Sequence, residues 1–309
     1  MFVQTVRGPV NPDEIGFTLP AEHFYIKLWH LPGREALWQL EDDDVFAGEV
    51  HGFKEHGGSC IVDTTPACMG RKPERLKAMS ERTGVHIVMA TGWYTEAYLP
   101  PEDRVDITYA SALADRLIQE IHNGVGSTDI RPGVIGEFGP TGDRISPAEE
   151  RIHRASARAH RATGIALVTH AMHSEVGLDQ LDLLEEEGVD LTKVAIGHCD
   201  SWPFLEYWRR IAERGAFVLL DNIGTEMGRH EDRLASLVRA MVDKGYERNL
   251  LLSHDMGTAA ELRYYGGRGF VHLAESFLPR LRNLGIPDSV LNTITMENPR
   301  RLLAVDVQE

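Results

Sequence analysis

The chain has 309 residues, of which 42% are hydrophobic, and this length and composition fit one large α/β domain. Its formal net charge of −15 and the lack of any basic run argue against a nucleic-acid partner or an anionic membrane surface. The sequence has no apolar run of about 18 residues and no basic-then-apolar amino terminus. Its three cysteines are too few for a disulfide framework. We therefore expect a cytoplasmic protein with no membrane anchor.

Eight short apolar segments with the length and composition of β-strands are spaced through the chain. They lie at residues 17–26, 60–64, 86–91, 133–138, 165–169, 194–197, 216–221 and 250–253. The spacing of apolar residues and the helix-start signals predict helices between these strands. The helices cover residues 42–56, 73–83, 105–123, 147–163, 178–184, 203–214, 229–244, 271–284 and 288–303.

The regular alternation of strands and helices predicts a parallel sheet with both faces covered. Eight strands in this order are typical of a (β/α)8 TIM barrel, which we expect to span residues 1–309 as a single domain. Residues 1–15 have little periodicity and contain two prolines. We interpret them as a short entry segment, with a hairpin as one alternative.

Two histidines follow successive strands in the segment GIALVTHAMHSEVGLDQLDLLEEEGVDLTKVAIGHCD, which covers residues 164–200. His170 comes directly after strand 165–169, and His198 comes directly after strand 194–197. The carboxyl ends of barrel strands meet at one rim, where TIM barrels carry their chemistry. Either histidine alone is equally compatible with capping its strand, but two on neighbouring strands favour a shared site.

Other strands also end in side chains that bind metal ions. His23 lies on strand one, Glu137 lies near the end of strand four, and Asp255 follows strand eight. Imidazole nitrogen and carboxylate oxygen together are typical ligands of hydrolytic zinc or manganese sites. Five suitable side chains at five strand ends are more than chance placement readily gives. We therefore predict a divalent metal site formed by these three residues with His170 and His198.

Two other histidines are weaker candidates. His254 neighbours Asp255, so the alternation of side chains along a strand should turn it to the opposite face. His173 lies beyond strand five, where a contact with substrate or with a metal ligand competes with plain solvent exposure.

Several segments together resemble the phosphotriesterase-related branch of the amidohydrolase superfamily across nearly the whole chain. The matching segments are VRGPVNPDEIGFTL with AEH, IVDTT with MGR, GVIGEFG, the strand ends THA and GHCD, GLDQLDLLEEEGVDL, LLSHD and ENPRRLL. The resemblance implies a (β/α)8 barrel with two divalent metals at its carboxyl rim. By resemblance, Glu137 takes the bridging position, which is a carboxylated lysine in other members. His170 and His198 would hold one metal, and His23 and Asp255 the other.

The sequence departs from the family pattern at strand one, where His-x-His is replaced by Ala21-Glu22-His23. Residues two apart on a strand share a face, so Ala21 should point inward at a ligand position while Glu22 points the other way. A methyl group cannot coordinate a metal. We therefore expect the His23/Asp255 site to be weakened or empty, with His30 from the following loop as a less favoured substitute ligand.

The resemblance implies a hydrolase in which a divalent metal lowers the pKa of the attacking water and polarises the substrate oxygen. Asp255 would take the proton from that water and pass it to the leaving alkoxide. Family members hydrolyse lactones, carboxylic esters and phosphotriesters. We favour a lactone or carboxylic ester, because an organophosphate triester is an unusual natural substrate. The alternatives are phosphotriester hydrolysis, or a non-catalytic metal- or ligand-binding protein that lost activity with the strand-one histidine.

Candidate substrate contacts lie in loops at the same rim. Arg263 and Arg268 follow strand eight, and Arg71 follows strand two. Arginines suit a carboxylate or phosphate on the substrate, for example on a sugar derivative, and solvated surface charge is the equal alternative. Tyr94, with Trp93, is expected either to form an aromatic pocket wall or to pack the rim.

The expected cofactor is one or two divalent ions, with zinc favoured and manganese or cobalt as alternatives. The expected partner is a small-molecule substrate, with neither nucleic acid nor membrane. A homodimer is an open alternative to a monomer.

Overall fold

The computed structural model describes residues 1–28, 39–225 and 230–306 of the chain. Ten strands lie in these ranges. They are β1 (Val3–Thr5), β2 (Gly8–Val10), β3 (Phe17–Glu22), β4 (Gly58–Asp63), β5 (His86–Thr91), β6 (Val134–Phe138), β7 (Ala166–Thr169), β8 (Val194–Ile196), β9 (Phe217–Leu220) and β10 (Leu250–Leu252). Strands β3 to β10 form one parallel sheet in which each strand pairs with the next along the chain. This confirms the predicted (β/α)8 barrel.

Alternating side chains along each strand separate the barrel interior from the layer between strands and helices. On β4 the side chains of Cys60 and Val62 belong to the interior cluster, whereas Ile61 packs in the larger outer cluster. On β5, Val88 belongs to the interior cluster and Ile87 to the outer one. The period of two residues therefore divides the core, and it also brings the residues that follow each strand to one rim.

The barrel closes between β3 and β10 through one backbone hydrogen bond and one serine. The N–H of Asp255 donates to the carbonyl of Ala21 at 3.1 Å. The Ser253 hydroxyl accepts the N–H of Ala21 at 3.0 Å, and it lies 2.7 Å from the carbonyl oxygen of Ala21. These contacts form a seam, defined by Ala21, Ser253 and Asp255, between the first and last strands of the barrel.

Ten α-helices lie in the described ranges. They are α1 (Asp43–Glu55), α2 (Pro73–Thr83), α3 (Ala110–Asn123), α4 (Pro147–Thr163), α5 (Val176–Glu186), α6 (Leu205–Glu213), α7 (Glu231–Asp243), α8 (Leu278–Asn283), α9 (Asp288–Asn292) and α10 (Asn298–Leu303). One π-helical segment, Leu273–Phe277, precedes α8, and another, Thr293–Glu297, joins α9 to α10.

Several boundaries differ from those predicted, and three of them illustrate why. Strand one ends at Glu22 rather than at residue 26, because the N–H of Phe24 donates to the Asp63 carboxylate and not to a neighbouring strand. Helix α3 begins at residue 110 rather than 105, after a turn in which the Trp93 indole donates to Asp103. Residue 229, the predicted start of α7, lies outside the described residues, and the helix begins at Glu231.

The entry segment contains an antiparallel hairpin, in which β1 pairs with β2 from Val3–Val10 to Thr5–Gly8. Phe2 also bridges to Val305 near the carboxyl end of the chain. Val3 joins Leu302 and Leu303 in the barrel-interior cluster. The hairpin therefore packs together with the last helix, α10.

His153 on α4 is fully buried, and its ring packs edge-on against Phe138 with 4.9 Å between ring centroids. Burial lowers the pKa of His153 to about 4, below the usual value near 6.5. In the unfolded chain this histidine therefore binds a proton as the pH falls below 6.5, whereas in the folded protein it stays neutral until about pH 4. Keeping this ring neutral therefore lowers the free energy of unfolding progressively as the pH falls from 6.5 to about 4.

We expect His153→Leu to remove this acid sensitivity. Relative to the parent, the variant should gain roughly 2 kcal/mol in free energy of unfolding between pH 7 and pH 5. Urea unfolding at the two pH values measures the difference. The same change at His122, an exposed residue of α3, is the matched control. A parallel pH dependence in parent and His153 variant would contradict the prediction.

Candidate metal centre and substrate cavity

Five side chains from five different strands meet inside the carboxyl rim of the barrel. His23, Glu137, His170 and His198 are buried, and Asp255 is the most open of the five, with 13% of its side chain exposed. Glu137 lies at the centre. Its Oε1 is 3.6 Å from His23 Nε2 and 3.6 Å from His170 Nδ1, and its Oε2 is 3.4 Å from His198 Nε2.

The ligand atoms fall into two groups that share Glu137. One group is Glu137 with His170 and His198, and the other is Glu137 with His23 and Asp255; within each group, the ligand atoms lie within 4.8 Å of one another. Either spacing suits a divalent cation. The division matches the one that the family resemblance implied from the sequence.

The chemistry of these atoms fits a metal ion. Glu137 Oε2 and Asp255 Oδ1 are buried oxygens that accept no hydrogen bond, although Asp255 Oδ1 lies only 2.9 Å from His23 Nε2. Burial alone would lower the pKa of His23, but the carboxylates of Asp255 and Glu137 outweigh it and raise this pKa well above its usual value. A cation at this position would satisfy both oxygens, so the residues present fit a divalent metal.

The pKa values of Glu137 and Asp255 shift in opposite directions because the two carboxylates have different neighbours. Burial would raise the pKa of Glu137, but the imidazoles of His170, His198 and His23 lower it well below its usual range. Burial, with the Glu137 charge beside it, raises the pKa of Asp255 to about 7.

His23 is oriented by a hydrogen-bond chain. The Thr65 hydroxyl donates to Asp63 at 2.7 Å, so its oxygen accepts the N–H of His23 Nδ1 at 2.9 Å. This fixes the tautomer in which His23 Nε2 carries the lone pair and faces Glu137. Sequence reasoning missed Asp63 and Thr65, although both fall within the IVDTT segment at the end of β4.

Asp221 orients His198 in the same way. Its Oδ1 accepts the backbone N–H of His198 at 2.9 Å and the ring Nδ1–H at 3.0 Å. His198 Nε2 then faces His170 Nδ1 at 2.8 Å, and both nitrogens could bind one metal. Sequence reasoning placed Asp221 at the end of strand seven and gave it no role. The signal was its position, since it follows β9 as the other candidates follow their strands.

Two of the five residues have a positive backbone φ angle. His198 and Asp255 both have φ of 54°, in the left-handed region that non-glycine residues rarely occupy. The residue before His198 is Gly197, where a Cβ would lie 2.3 Å from the Thr169 carbonyl oxygen. Such strain persists only when the surrounding contacts hold it, and here it turns both side chains toward Glu137.

Glu22 points away from the candidate metal ligands and holds the residues that follow β10. Its carboxylate accepts the backbone N–H and the ring Nδ1–H of His254, at 2.9 and 2.8 Å, and the N–H of Met256 at 3.2 Å. His254 Nε2 accepts the N–H of Leu273, so the ring is a neutral Nδ1–H donor. Glu22 and His254 thus hold the backbone on both sides of Asp255.

Ala21 is fully buried and belongs to the barrel-interior cluster. Its methyl group therefore lies on the same side of β3 as the inward-facing residues of the other strands, as the alternation of side chains requires. It supplies no ligand atom, so among the described residues this group consists of His23, Glu137 and Asp255.

A cavity of about 420 Å³ opens beside the metal groups. Its lining combines His23, Glu137, His170 and Asp255 with the apolar side chains of Ile26, Leu28, Met69, Tyr94, Ala97, Tyr98 and Met172 and the polar residues Thr95, Thr141, Gly257, Thr258 and Glu261. Tyr94 lies edge-on to the His170 ring, with 4.9 Å between centroids. Tyr94 is therefore placed at the expected pocket wall, whereas Trp93 does not line the cavity.

The three arginines expected to contact substrate do not line this cavity. Arg71 is buried in a two-pronged ion pair with Glu120, with N–O distances of 2.9 and 3.0 Å. Arg263 donates to Glu275, and Arg268 to Glu231. Each guanidinium is thus bound by a carboxylate elsewhere, a pairing between distant segments that local sequence does not reveal.

Two other candidates from the sequence have separate positions. His173 has φ of 58°, and its N–H donates to the Ser201 hydroxyl at 2.8 Å, but its side chain does not line the cavity. His30 lies outside the described residues.

None of the helices in the described ranges is long and apolar enough to cross a membrane.

Comparison with known proteins places this geometry among hydrolases. The model of the phosphotriesterase family matches residues 1–303. The phosphotriesterase homology protein of Escherichia coli is 31% identical over 287 residues, which are 93% of this chain and 97% of that protein. Human N-acetyltaurine hydrolase is 28% identical, with 97% of each chain covered.

Solved structures give the same fold. A resiniferatoxin-binding protein from Rhodobacter sphaeroides superposes with a TM-score of 0.92 at 31% identity, covering 98% of this chain and 94% of that one. A lactonase from Listeria monocytogenes has a TM-score of 0.92 at 26% identity, covering 99% of this chain and all of the other.

Proposed function

Since this chain belongs to the phosphotriesterase family and is a hydrolase acting on ester or related bonds, we propose that it cleaves a lactone or a carboxylic ester with the help of a divalent metal. The observation that carries the proposal is the pair of ligand groups that share Glu137 beside the cavity. The lactonase among the similar structures supports the choice of bond.

We propose zinc as the metal, with manganese or cobalt as alternatives, because three imidazoles and two carboxylates suit borderline cations. Glu137, His170 and His198 would form the stronger site, and His23, Glu137 and Asp255 the weaker one. A metal there would lower the pKa of a water molecule and polarise the carbonyl oxygen of the substrate.

The residues of the chain supply orientation and proton transfer. Of the two carboxylates that could bind the metal, Asp255 is the one partly open to the cavity. Its carboxylate can therefore accept the proton of the attacking water and return it to the leaving alkoxide. The contacts of Glu22 hold Asp255 in position, and Asp221 holds His198. The aromatic and aliphatic walls exclude water from the rest of the substrate.

An amide bond is the second candidate, because the vertebrate relatives that match nearly the whole chain are N-acetyltaurine hydrolases. Phosphotriester hydrolysis and a binding function without catalysis are the remaining alternatives, the latter in view of the resiniferatoxin-binding relative. All three cysteines are unpaired, which fits the reducing cytoplasm that we propose as the location.

Protein purified without chelator is expected to contain at least one divalent ion per chain and to hydrolyse members of a panel of lactones and carboxylic esters. Chelation should abolish hydrolysis, and adding back zinc, manganese or cobalt should restore it, because the metal would lower the pKa of the attacking water and polarise the carbonyl group. Amides and a phosphotriester in the same panel separate the alternatives. Negligible metal content after reloading, or hydrolysis that survives chelation, would contradict the proposal.

A further inference from the structure

Glu261 lines the cavity and offers it a carboxylate oxygen. Its Oε2 accepts the N–H groups of Gly257 and Thr258 at 3.0 and 2.9 Å. The Thr258 hydroxyl also hydrogen-bonds to this carboxylate. A carboxylate has about four acceptor sites, so one remains for a donor in the cavity that Glu261 lines. Burial raises the pKa of Glu261, so the two N–H groups do not fully compensate its charge. Glu261 therefore presents an acceptor that a substrate can fill.

The remainder of the wall sets the character of the substrate. Apolar side chains such as Ile26, Met69 and Met172 provide most of the surface beyond the metal groups. No lysine or arginine occurs among the described residues of the lining. Arg263 and Arg268, which follow β10, are bound by carboxylates. A bound divalent cation would balance Glu137 and Asp255 but would leave the charge of Glu261.

We propose that the substrate joins an apolar body to an ammonium or hydroxyl group that donates a hydrogen bond to the Glu261 carboxylate. An anionic group in this part of the cavity would instead meet a carboxylate with no lysine or arginine beside it among the described residues of the lining. The inference rests on the proposed hydrolase function and deepens it, because it names the class of ester and the residue that selects it.

Three acetate esters of nearly equal size test the preference. They are 3-methylbutyl acetate, which is neutral, 2-(dimethylamino)ethyl acetate, which is cationic at pH 7, and 3-acetoxypropanoate, which is anionic. With the metal-loaded enzyme we expect kcat/KM to be about tenfold higher for the cationic ester than for the neutral one, mainly through KM, and lowest for the anionic ester.

Glu261→Gln isolates the role of the charge. Glutamine keeps a carbonyl oxygen for the N–H groups of Gly257 and Thr258 but removes the charge and the second carboxylate oxygen. The ratio of kcat/KM between the cationic and neutral esters should then fall to near one. Glu81→Gln, an exposed change in the last turn of α2, removes the same charge far from the cavity and should leave the ratio as in the parent.

A binding measurement without turnover separates this inference from the hydrolase proposal. Calorimetry with 2-(dimethylamino)ethanol and 3-methylbutanol should show tighter binding of the amine, by about tenfold, and the difference should vanish in Glu261→Gln. If none of the esters is hydrolysed but the amine still binds more tightly through Glu261, only the hydrolase proposal fails.

Two results would overturn the inference on Glu261. If Glu261→Gln slows all three esters alike and leaves their ratios unchanged, the residue only supports the 257–258 loop. If the parent prefers the anionic ester, a cation must face the substrate in the cavity, and the proposed substrate class is wrong.

Discussion

Asp255→Asn is expected to lower the rate of hydrolysis by roughly 10²–10⁴-fold, the usual contribution of a positioned general base. The asparagine has the same size and keeps one oxygen that can face a metal, but it cannot take up the proton of the attacking water. The backbone at residue 255 is held independently of its side chain, through the N–H bond to Ala21 and the contacts of Glu22 on either side. The substitution should therefore leave the fold in place.

The measurement is kcat on the best ester or lactone of the panel, at saturating metal, with metal content determined for each protein. Asp115→Asn, an exposed change on α3, controls for the loss of one carboxylate. A variant that retains its metal and its full rate would remove Asp255 from proton transfer. A variant that loses its metal would show that Asp255 acts chiefly as a ligand, and the rate at added metal would then decide its part in catalysis.

Ala21→His is expected to raise the number of tightly bound divalent ions from one to two and to increase hydrolysis. The side chain at residue 21 faces the barrel interior on the same strand face as His23, so an imidazole there would add a ligand to the His23, Glu137 and Asp255 group. Titration with zinc or manganese, followed by assays of parent and variant side by side, measures both effects.

Packing must be separated from coordination in this variant, because Ala21 is fully buried and a larger side chain costs roughly 1–3 kcal/mol in a well-packed core. Ala21→Val adds bulk without a ligand atom and is the matched control. The histidine variant should gain more thermal stability on addition of metal than the valine variant, because only the histidine adds a ligand. Equal metal content in parent and histidine variant would show that the missing imidazole was not limiting.

The meeting of the candidate metal ligands at one rim could be predicted because it depends on local rules. Side-chain alternation and the common direction of parallel strands bring His170, His198 and Asp255 to one rim whatever the details of packing. The supporting residues could not be predicted in the same way. Asp221 and Thr65 act through hydrogen bonds whose partners depend on the register between neighbouring strands, which local sequence does not set.

The contacts of the rim loops could not be predicted from the sequence. Arg71 and Arg268 were attractive as anion-binding groups because they follow strands, but each finds a carboxylate on a helix distant in sequence, Glu120 and Glu231 respectively. Glu261, which does line the cavity, was unremarkable in the sequence because a glutamate in a polar loop is ordinarily solvated. Its position depends on the capping of Gly257 and Thr258.

The seam between β3 and β10 also orders the assembly of the two metal groups during synthesis. Ala21 and Ser253, which meet at the seam, are 232 residues apart. Glu137, His170 and His198 follow three consecutive strands, so a nascent chain can bring them together before its last third is made. His23 must wait for Asp255, and that loop closes only when the final strand leaves the ribosome. The second group can therefore be completed only after β10 has been synthesised.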